Sequence, residues 1–184
     1  MLAERIGSSQ LAEMSAQGAT LSASVRPADL PRLRQFVVAG PGVPAAPLAV
    51  DVGFQPGPEG FPVVRIQAQG TLHLVCQRCL APVGWPLVVD VALTVVATDG
   101  ATSGIASPFD SVVLDAEGDL PLRSVVEDEI LAILPLAPLH ANETECRPGI
   151  RRAEPQSDTP PRQTTRPFAD LATLLSRQGR DRDD

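Results

Sequence analysis

Two cysteines separated by two residues, Cys76 and Cys79, have the spacing in this sequence that points most clearly to chemistry. The runs on either side are apolar and alternate like β-strands, so we expect the pair on a tight turn between two strands. Two thiols held in this way can bind a metal ion or exchange a disulfide. The third cysteine of the chain, Cys146, follows His140 closely, and the surroundings of the pair must decide between these uses.

Disulfide exchange of the thioredoxin type uses a helix that begins at the first cysteine, because the positive end of that helix lowers the thiol pKa. Here Cys79 is followed closely by Pro82, Gly84 and Pro86. These residues disfavour a helix. The usual means of activating the thiolate is therefore missing, and a redox catalyst is the weaker interpretation.

A structural zinc site is the favoured interpretation, because zinc takes four Cys or His ligands in a tetrahedron. Cys76 and Cys79 supply two ligands, and His140 and Cys146 can supply the others. Such a site would tie the turn to the chain that leaves the main helix. His73 falls within a predicted strand and is a poor ligand candidate. A metal site with fewer or different ligands, and three reduced cysteines beside a surface histidine, remain alternatives.

No catalytic signature accompanies the cysteines. The sequence lacks the H-x-E and P-C-x-x-C pair of zinc deaminases and the H-E-x-x-H of zinc proteases. A zinc ion with four protein ligands also leaves no open position for water. The acidic run Glu127–Glu129 is interpreted as a solvated helix face rather than an acid–base pair. We predict a binding protein without a small-molecule substrate, with a metalloenzyme such as a nuclease as the weaker alternative.

The charge distribution limits the partners. The chain of 184 residues has a formal net charge of −7, which argues against a surface that binds polyanions everywhere. Aromatic residues make up 3% of it, too few for a platform on which nucleic-acid bases stack. The candidates for contacts with RNA phosphates are arginines in the CxxC turn and after the last cysteine: Arg78, Arg147, Arg151 and Arg152. The alternatives are an exposed turn residue and a solubilising linker.

The elements that would position these residues follow from hydrophobic periodicity. We predict strands at 48–54, 63–75 (with a bulge at Gly70), 87–98 and 111–114, a short helix at 26–38, and a main helix from an N-cap at Asp119 to Leu134. The predicted fold class is α+β, an antiparallel β-sheet meander backed by one main amphipathic helix, with short N-terminal and C-terminal helices.

Composition also divides the chain into segments. We predict a flexible N-terminal segment at 1–25, an α+β domain at 26–146, a basic linker at 147–165, a short helix at 166–178 and an acidic tail at 179–184. The first residues lack the pattern of a signal peptide, and no stretch has the length of apolar sequence that a bilayer requires. A cytoplasmic location without a membrane partner is therefore expected.

Three segments together resemble the YceD family, also named large ribosomal RNA subunit accumulation protein. They are residues 74–82, residues 126–140 with Cys146 after them, and residues 166–174, which are similar to the family's terminal N-P-F-x-x-L-x-x-L. Their order and spacing agree with the family, although Arg166 replaces the first Asn of the terminal motif. The spacing from His140 to Cys146 is a residue longer than in some members.

The resemblance implies a bacterial or organellar cytoplasmic protein that is required for normal amounts of large-subunit rRNA. It also implies metal binding at Cys76, Cys79, His140 and Cys146, nucleic-acid binding, and no catalysis. The expected function is support for the synthesis, stability or processing of 23S-type rRNA through binding of the rRNA or its precursor. The alternative is a protein-binding assembly factor for a basic ribosomal protein, without direct RNA contact.

Overall fold

A computed structural model of the chain describes residues 2–57, 60–97 and 111–146. The predicted basic linker, C-terminal helix and acidic tail lie outside these residues. The elements in chain order are α1 (Ser8–Gln17), β1 (Thr20–Val25), 3-10 turns at Pro27–Asp29 and Leu33–Gln35, β2 (Leu48–Pro56), β3 (Pro62–Val75), β4 (Pro82–Val96), β5 (Ser111–Val113), α2 (Leu122–Ala132) and a 3-10 turn at Glu143–Glu145.

The five strands form a mixed sheet in the order β1-β2-β3-β4-β5. Neighbours from β1 to β4 are antiparallel, as expected for a meander. β5 is parallel to β4, pairing Ser111 with Thr94, so the prediction of an antiparallel sheet is wrong at this edge. A parallel neighbour needs a crossover of about a dozen or more residues, and the stretch 97–110 between the two strands has that length.

Among the described residues, the five-stranded sheet and the helices α1 and α2 are consistent with the predicted α+β class, and the core lies on one face of the sheet. Alternate residues of the long strands are buried, and α1 contacts β2 and β3 while α2 contacts β4. The other face is polar and carries a bidentate pair between Arg65 and Asp90, with distances of 2.9 and 2.7 Å. The buried side chains of β2 and β3 include Leu48, Val50, Val52, Phe54, Val64, Ile66, Leu72 and Leu74.

Residues 2–25, which fall in the segment predicted as flexible, contain α1 and β1. Leu11 of α1 is buried, and the helix ends at Gly18, whose φ of 63° is a left-handed conformation that glycine adopts without strain. β1 pairs with β2 over its whole length. The residues of β1, Thr-Leu-Ser-Ala-Ser-Val, alternate polar and apolar, and the apolar ones are the less exposed, so the strand pattern was present in the sequence but was outweighed by the polar composition of the segment.

The predicted helix at 26–38 is also wrong, because the segment forms the two 3-10 turns Pro27–Asp29 and Leu33–Gln35. Pro31 lies between them. Proline has no N–H to donate and excludes the preceding residue from helical geometry, so a continuous helix cannot form. Leu30 and Leu33 of this segment are nevertheless fully buried.

The β3–β4 hairpin is more regular than predicted. Its register runs without interruption through Gly70, which pairs with Leu87, so there is no bulge. Glycine is needed there for close approach, since a Cβ atom would lie 2.6 Å from Leu48 Cδ2. β4 begins at Pro82 instead of residue 87. Its first half pairs with β3 alone among the described strands, so its other edge is free. Prolines are tolerated there because the missing N–H groups face that free edge.

The main helix α2 is confirmed in position but begins later than predicted. Pro121, not Asp119, occupies the N-cap, and no side chain caps this end. The Asp119 N–H instead donates to Asp115 Oδ1 at 2.9 Å. The difference arises because this hydrogen bond makes Asp119 part of the preceding turn. The chain therefore reaches helical geometry only after Pro121.

Candidate metal centre

The CxxC motif occupies the loop between β3 and β4, which the pairing of Val75 with Pro82 closes. Within the loop, Cys76 N–H donates to Ala81 O at 3.0 Å, and Leu80 N–H donates to Cys76 O at 2.9 Å. Cys76 is fully buried and Cys79 is half-buried. The strand β4 follows the loop directly, which confirms that no helix begins at these cysteines.

The chain that follows α2 supplies the other two candidate ligands. Gln77 N–H donates to Pro138 O at 2.9 Å, which fixes this segment against the loop just before His140. Cys146 follows the 3-10 turn Glu143–Glu145, and its N–H donates to Glu143 O at 3.1 Å. Backbone hydrogen bonds therefore position both halves of the cluster.

The structure brings together all four residues that the sequence predicts as ligands. One ligand atom from each of Cys76, Cys79, His140 and Cys146 lies within 4.8 Å of all the others. His140 Nδ1 is 3.6 Å from Cys79 Sγ and 3.7 Å from Cys146 Sγ. Zinc bonds of about 2.3 Å to sulfur and 2.0–2.1 Å to nitrogen in a tetrahedron place such atoms about 3.6 Å apart. The spacing thus fits a tetrahedral metal site.

The surroundings of the thiols also suit a metal ligand. Burial raises the pKa of the Cys76 thiol, but backbone N–H groups of Cys79, Arg78 and His140, with the His140 side chain, lower this pKa to about 5. Cys76 is therefore poised as a thiolate, the form that binds metal. Burial raises the pKa of the Cys146 thiol, and hydrogen bonds with Cys79 and Cys76 raise it further. A divalent cation would offset this crowding of negative charge.

Arg78, predicted as a phosphate contact, lies against the cluster. Its Nη1 is 3.8 Å from Cys146 Sγ and 3.9 Å from Glu143 Oε1. With 36% of its side chain exposed, the guanidinium faces both the cluster and solvent. The other predicted RNA contacts, Arg147, Arg151 and Arg152, lie outside the described residues.

Leu80 in this loop has a strained backbone conformation. Leu80 has a φ of 58°, the left-handed region, and its side chain is 66% exposed. This conformation costs a non-glycine residue about 1–2 kcal/mol. We expect Leu80→Gly to be more stable than Leu80→Ala by about 0.5–1 kcal/mol, after allowing for the greater backbone entropy of glycine in the unfolded state. Chemical denaturation of the two variants measures this difference.

The neighbouring Ala81 provides the control, since it does not have a positive φ. Ala81→Gly should destabilise the protein by about 0.5–1 kcal/mol, the opposite sign. Equal stability of the two Leu80 variants would show that the loop relaxes and stores no strain.

The acidic run of α2 is not a uniformly solvated face. Glu127 is 2% exposed and accepts hydrogen bonds from the N–H groups of Arg32 and Leu33 at 2.6 and 2.8 Å. Its second oxygen accepts from Arg32 Nε at 3.1 Å. Since Asp128 is exposed and also pairs with Arg32, the carboxylates serve internal contacts. This corrects the interpretation of Glu127 as a solvent-facing residue.

An apolar groove, which was not predicted from the sequence, lies beside the CxxC loop. It has a volume of about 550 Å³ and runs between the end of β3 and the chain leaving α2. Phe36 and Leu136 line it and are more than half exposed. One feature of the sequence could have indicated this groove. The run Pro-Leu-Ala-Pro at 135–138 places a leucine in a segment without helical or strand periodicity, so the leucine has no predicted buried face and can be exposed.

Neither α1 nor α2 combines the length and apolar character needed to cross a bilayer, and the described residues contain no other candidate.

Fold and site together define a small α+β protein with a Cys3His cluster of metal-site geometry at the tip of a β-hairpin. The chain belongs to the YceD family, described as "Large ribosomal RNA subunit accumulation protein YceD", which matches residues 64–175. This confirms the resemblance, and the match spans all four residues of the cluster.

A curated relative from Haemophilus influenzae bears the name "Large ribosomal RNA subunit accumulation protein YceD" and is 28% identical over 94 residues. The alignment covers 51% of this chain and 54% of the relative, so the chain spans about half the length of the curated relative it matches. No solved structure gives a significant match.

Proposed function

We propose that this protein supports the accumulation of large-subunit ribosomal RNA in the cytoplasm, and that it acts by binding rather than by catalysis. Membership of the YceD family and the name of the Haemophilus influenzae relative support this role. The observation that supports a binding mechanism is the Cys3His cluster, because an ion held by all four of these residues would have no position left for a reacting water.

The metal in this proposal is a structural zinc ion. Three thiols and one imidazole are the donor set that structural zinc sites use. Three thiolates and a divalent ion leave one negative charge, and the guanidinium of Arg78 lies 3.8 Å from Cys146 Sγ, where it would balance that charge. The bound ion would hold the CxxC loop against the chain that leaves α2, so that both present one fixed surface.

A second candidate is an assembly factor that binds a basic ribosomal protein without contacting RNA. The apolar groove beside the loop favours it, because exposed aromatic and aliphatic side chains next to a rigid element are typical of protein-binding sites. The exposed carboxylate of Glu145, whose partner Asn142 is neutral, and the net charge of −7 would complement a basic partner.

The proposed function predicts a specific defect in cells that lack this protein. We expect sucrose gradients to show fewer large subunits and less large-subunit rRNA, with small subunits unchanged. Expression of the wild-type chain should restore the profile, and a Leu80→Ala variant with an intact cluster serves as a matched control that should also restore it. An unchanged profile after depletion would exclude rRNA accumulation as the main role.

Nuclease treatment of the purified complex separates the two candidates. If RNA holds the protein in its complex, digestion should release it. If the protein remains bound to a ribosomal protein after digestion and dissociates only in high salt, the protein-binding alternative is favoured.

A further inference from the structure

Most arginines among the described residues form an ion pair with a carboxylate, but two do not. Two of them, Arg34 and Arg123, have no carboxylate partner in this part of the chain, and both line the same cleft. The others each have a carboxylate oxygen within 4 Å: Arg5, Arg26, Arg32, Arg65 and Arg78. On an acidic protein, this concentrates uncompensated positive charge at one place.

The cleft has a volume of about 390 Å³ and lies where the first 3-10 turns meet the start of α2. Arg26 also lines it, but both oxygens of Asp29 accept hydrogen bonds from that guanidinium at 3.0 Å. Asp29 is the only carboxylate among the described lining residues. The cleft therefore carries the charges of Arg34 and Arg123 in excess.

The backbone fixes both arginines, while their guanidinium groups have no hydrogen-bond partner among the described residues. Arg34 N–H donates to Leu30 O at 2.9 Å, and Arg123 belongs to the first turn of α2. Arg123 is half-buried. A guanidinium stays charged at any physiological pH, and partial burial without a counter-charge is unfavourable. An anion that enters the cleft would supply the missing counter-charge.

We propose that this cleft binds phosphate groups of an RNA backbone, an inference that rests on the proposed function. Guanidinium groups donate paired hydrogen bonds to phosphate oxygens. No aromatic side chain is among the described residues that line the cleft, so bases have no stacking surface there. Contact with phosphates alone would make the binding independent of sequence and sensitive to salt.

An acidic peptide could also neutralise the two arginines. The lining of the cleft nevertheless favours a polyanion that binds through its charge alone, without apolar side chains inserted into a pocket. The large apolar side chains at the cleft, Leu2, Val25 and Leu30, are buried in the core, and the exposed apolar lining residue is the small Ala28. They leave no exposed apolar pocket of the kind that anchors a peptide. The cleft also shares no described lining residue with the Cys3His cluster, so the two sites can be tested separately.

The test measures the affinity of the full-length protein for a fluorescent fragment of large-subunit rRNA in single-stranded form, at several salt concentrations. The double variant Arg34→Gln/Arg123→Gln should weaken binding by about tenfold or more. It should also reduce the slope of log affinity against log salt by about 1.4, since each single-strand phosphate contact contributes about 0.7. Arg65→Gln, which removes a guanidinium already paired with Asp90 on the polar sheet face, should change neither quantity.

A second variant keeps the test valid if the double glutamine variant is unstable. Arg34→Lys/Arg123→Lys retains the charge and should keep most of the salt slope while losing part of the affinity, because lysine cannot form the paired hydrogen bonds. Unchanged RNA affinity in a folded double glutamine variant would overturn the cleft proposal, as would wild-type protein that binds no RNA or binds poly-glutamate equally well. The gradient profile of depleted cells decides the proposed function independently of these results.

Discussion

Replacement of His140 by Gln should remove most of the zinc from the purified protein and lower its thermal midpoint, whereas His73→Gln should change neither. Nδ1 of His140 lies 3.6 and 3.7 Å from two cysteine sulfurs. His73 lies in β3, outside the cluster. A structural zinc site does not exist in the unfolded chain, so its binding free energy, about 10–16 kcal/mol in zinc-finger peptides at pH 7, contributes to folding.

Elemental analysis and thermal denaturation test this expectation together. Wild-type protein and His73→Gln should each contain about one zinc ion per chain, and a chelator should lower both midpoints. His140→Gln should already have the lower midpoint and respond little to the chelator. Each kcal/mol lost should appear as a decrease of about 2–4 °C for a chain of this size. If the wild-type protein contained no zinc and the chelator did not change its thermal midpoint, the alternative of three ordinary reduced cysteines would be favoured instead.

The four residues of the cluster could be predicted from sequence because ligand chemistry restricts residue type and spacing. Thiols two residues apart require a turn, and the prolines after Cys79 exclude the helical alternative. The second pair, His140 and Cys146, stands where the main helix ends, which places it near a hairpin that packs on that helix. The spacing within each pair is local, whereas the meeting of the two pairs, with Cys79 and His140 61 residues apart, was inferred from the four ligands that zinc requires.

The features that the sequence did not reveal depend on contacts between distant segments. Glu127 binds the turn at Arg32 and Leu33, which are 95 and 94 residues away, and no periodicity marks a carboxylate that will be buried by such a contact. The parallel pairing of β5 depends on the path of the chain before Ser111, which composition does not encode. The arginine cleft likewise combines α2 with residues before β2.

Removal of the buried carboxylate of Glu127 should have the second large effect, a loss of stability. Glu127→Ala should lower the free energy of unfolding by about 2–4 kcal/mol, because each buried N–H left without an acceptor costs about 1–3 kcal/mol, while the ion pair with Arg32, whose side chain is 44% exposed, adds about 1 kcal/mol or less. The change leaves the N–H groups of Arg32 and Leu33 without an acceptor, and Leu33 is fully buried. Denaturant titration measures the effect as a shift of the midpoint.

Two further variants identify the cause of that loss. Asp128→Ala removes an exposed carboxylate that pairs with the same Arg32, and an exposed pair contributes about 1 kcal/mol or less. Glu127→Gln keeps an oxygen that can accept from the two backbone N–H groups, but its amide N–H group would face the Arg32 Nε donor. Its stability should therefore lie between wild type and Glu127→Ala. If Asp128→Ala were as costly as Glu127→Ala, the surface charge of α2, not the buried hydrogen bonds, would hold the helix against the 3-10 turn.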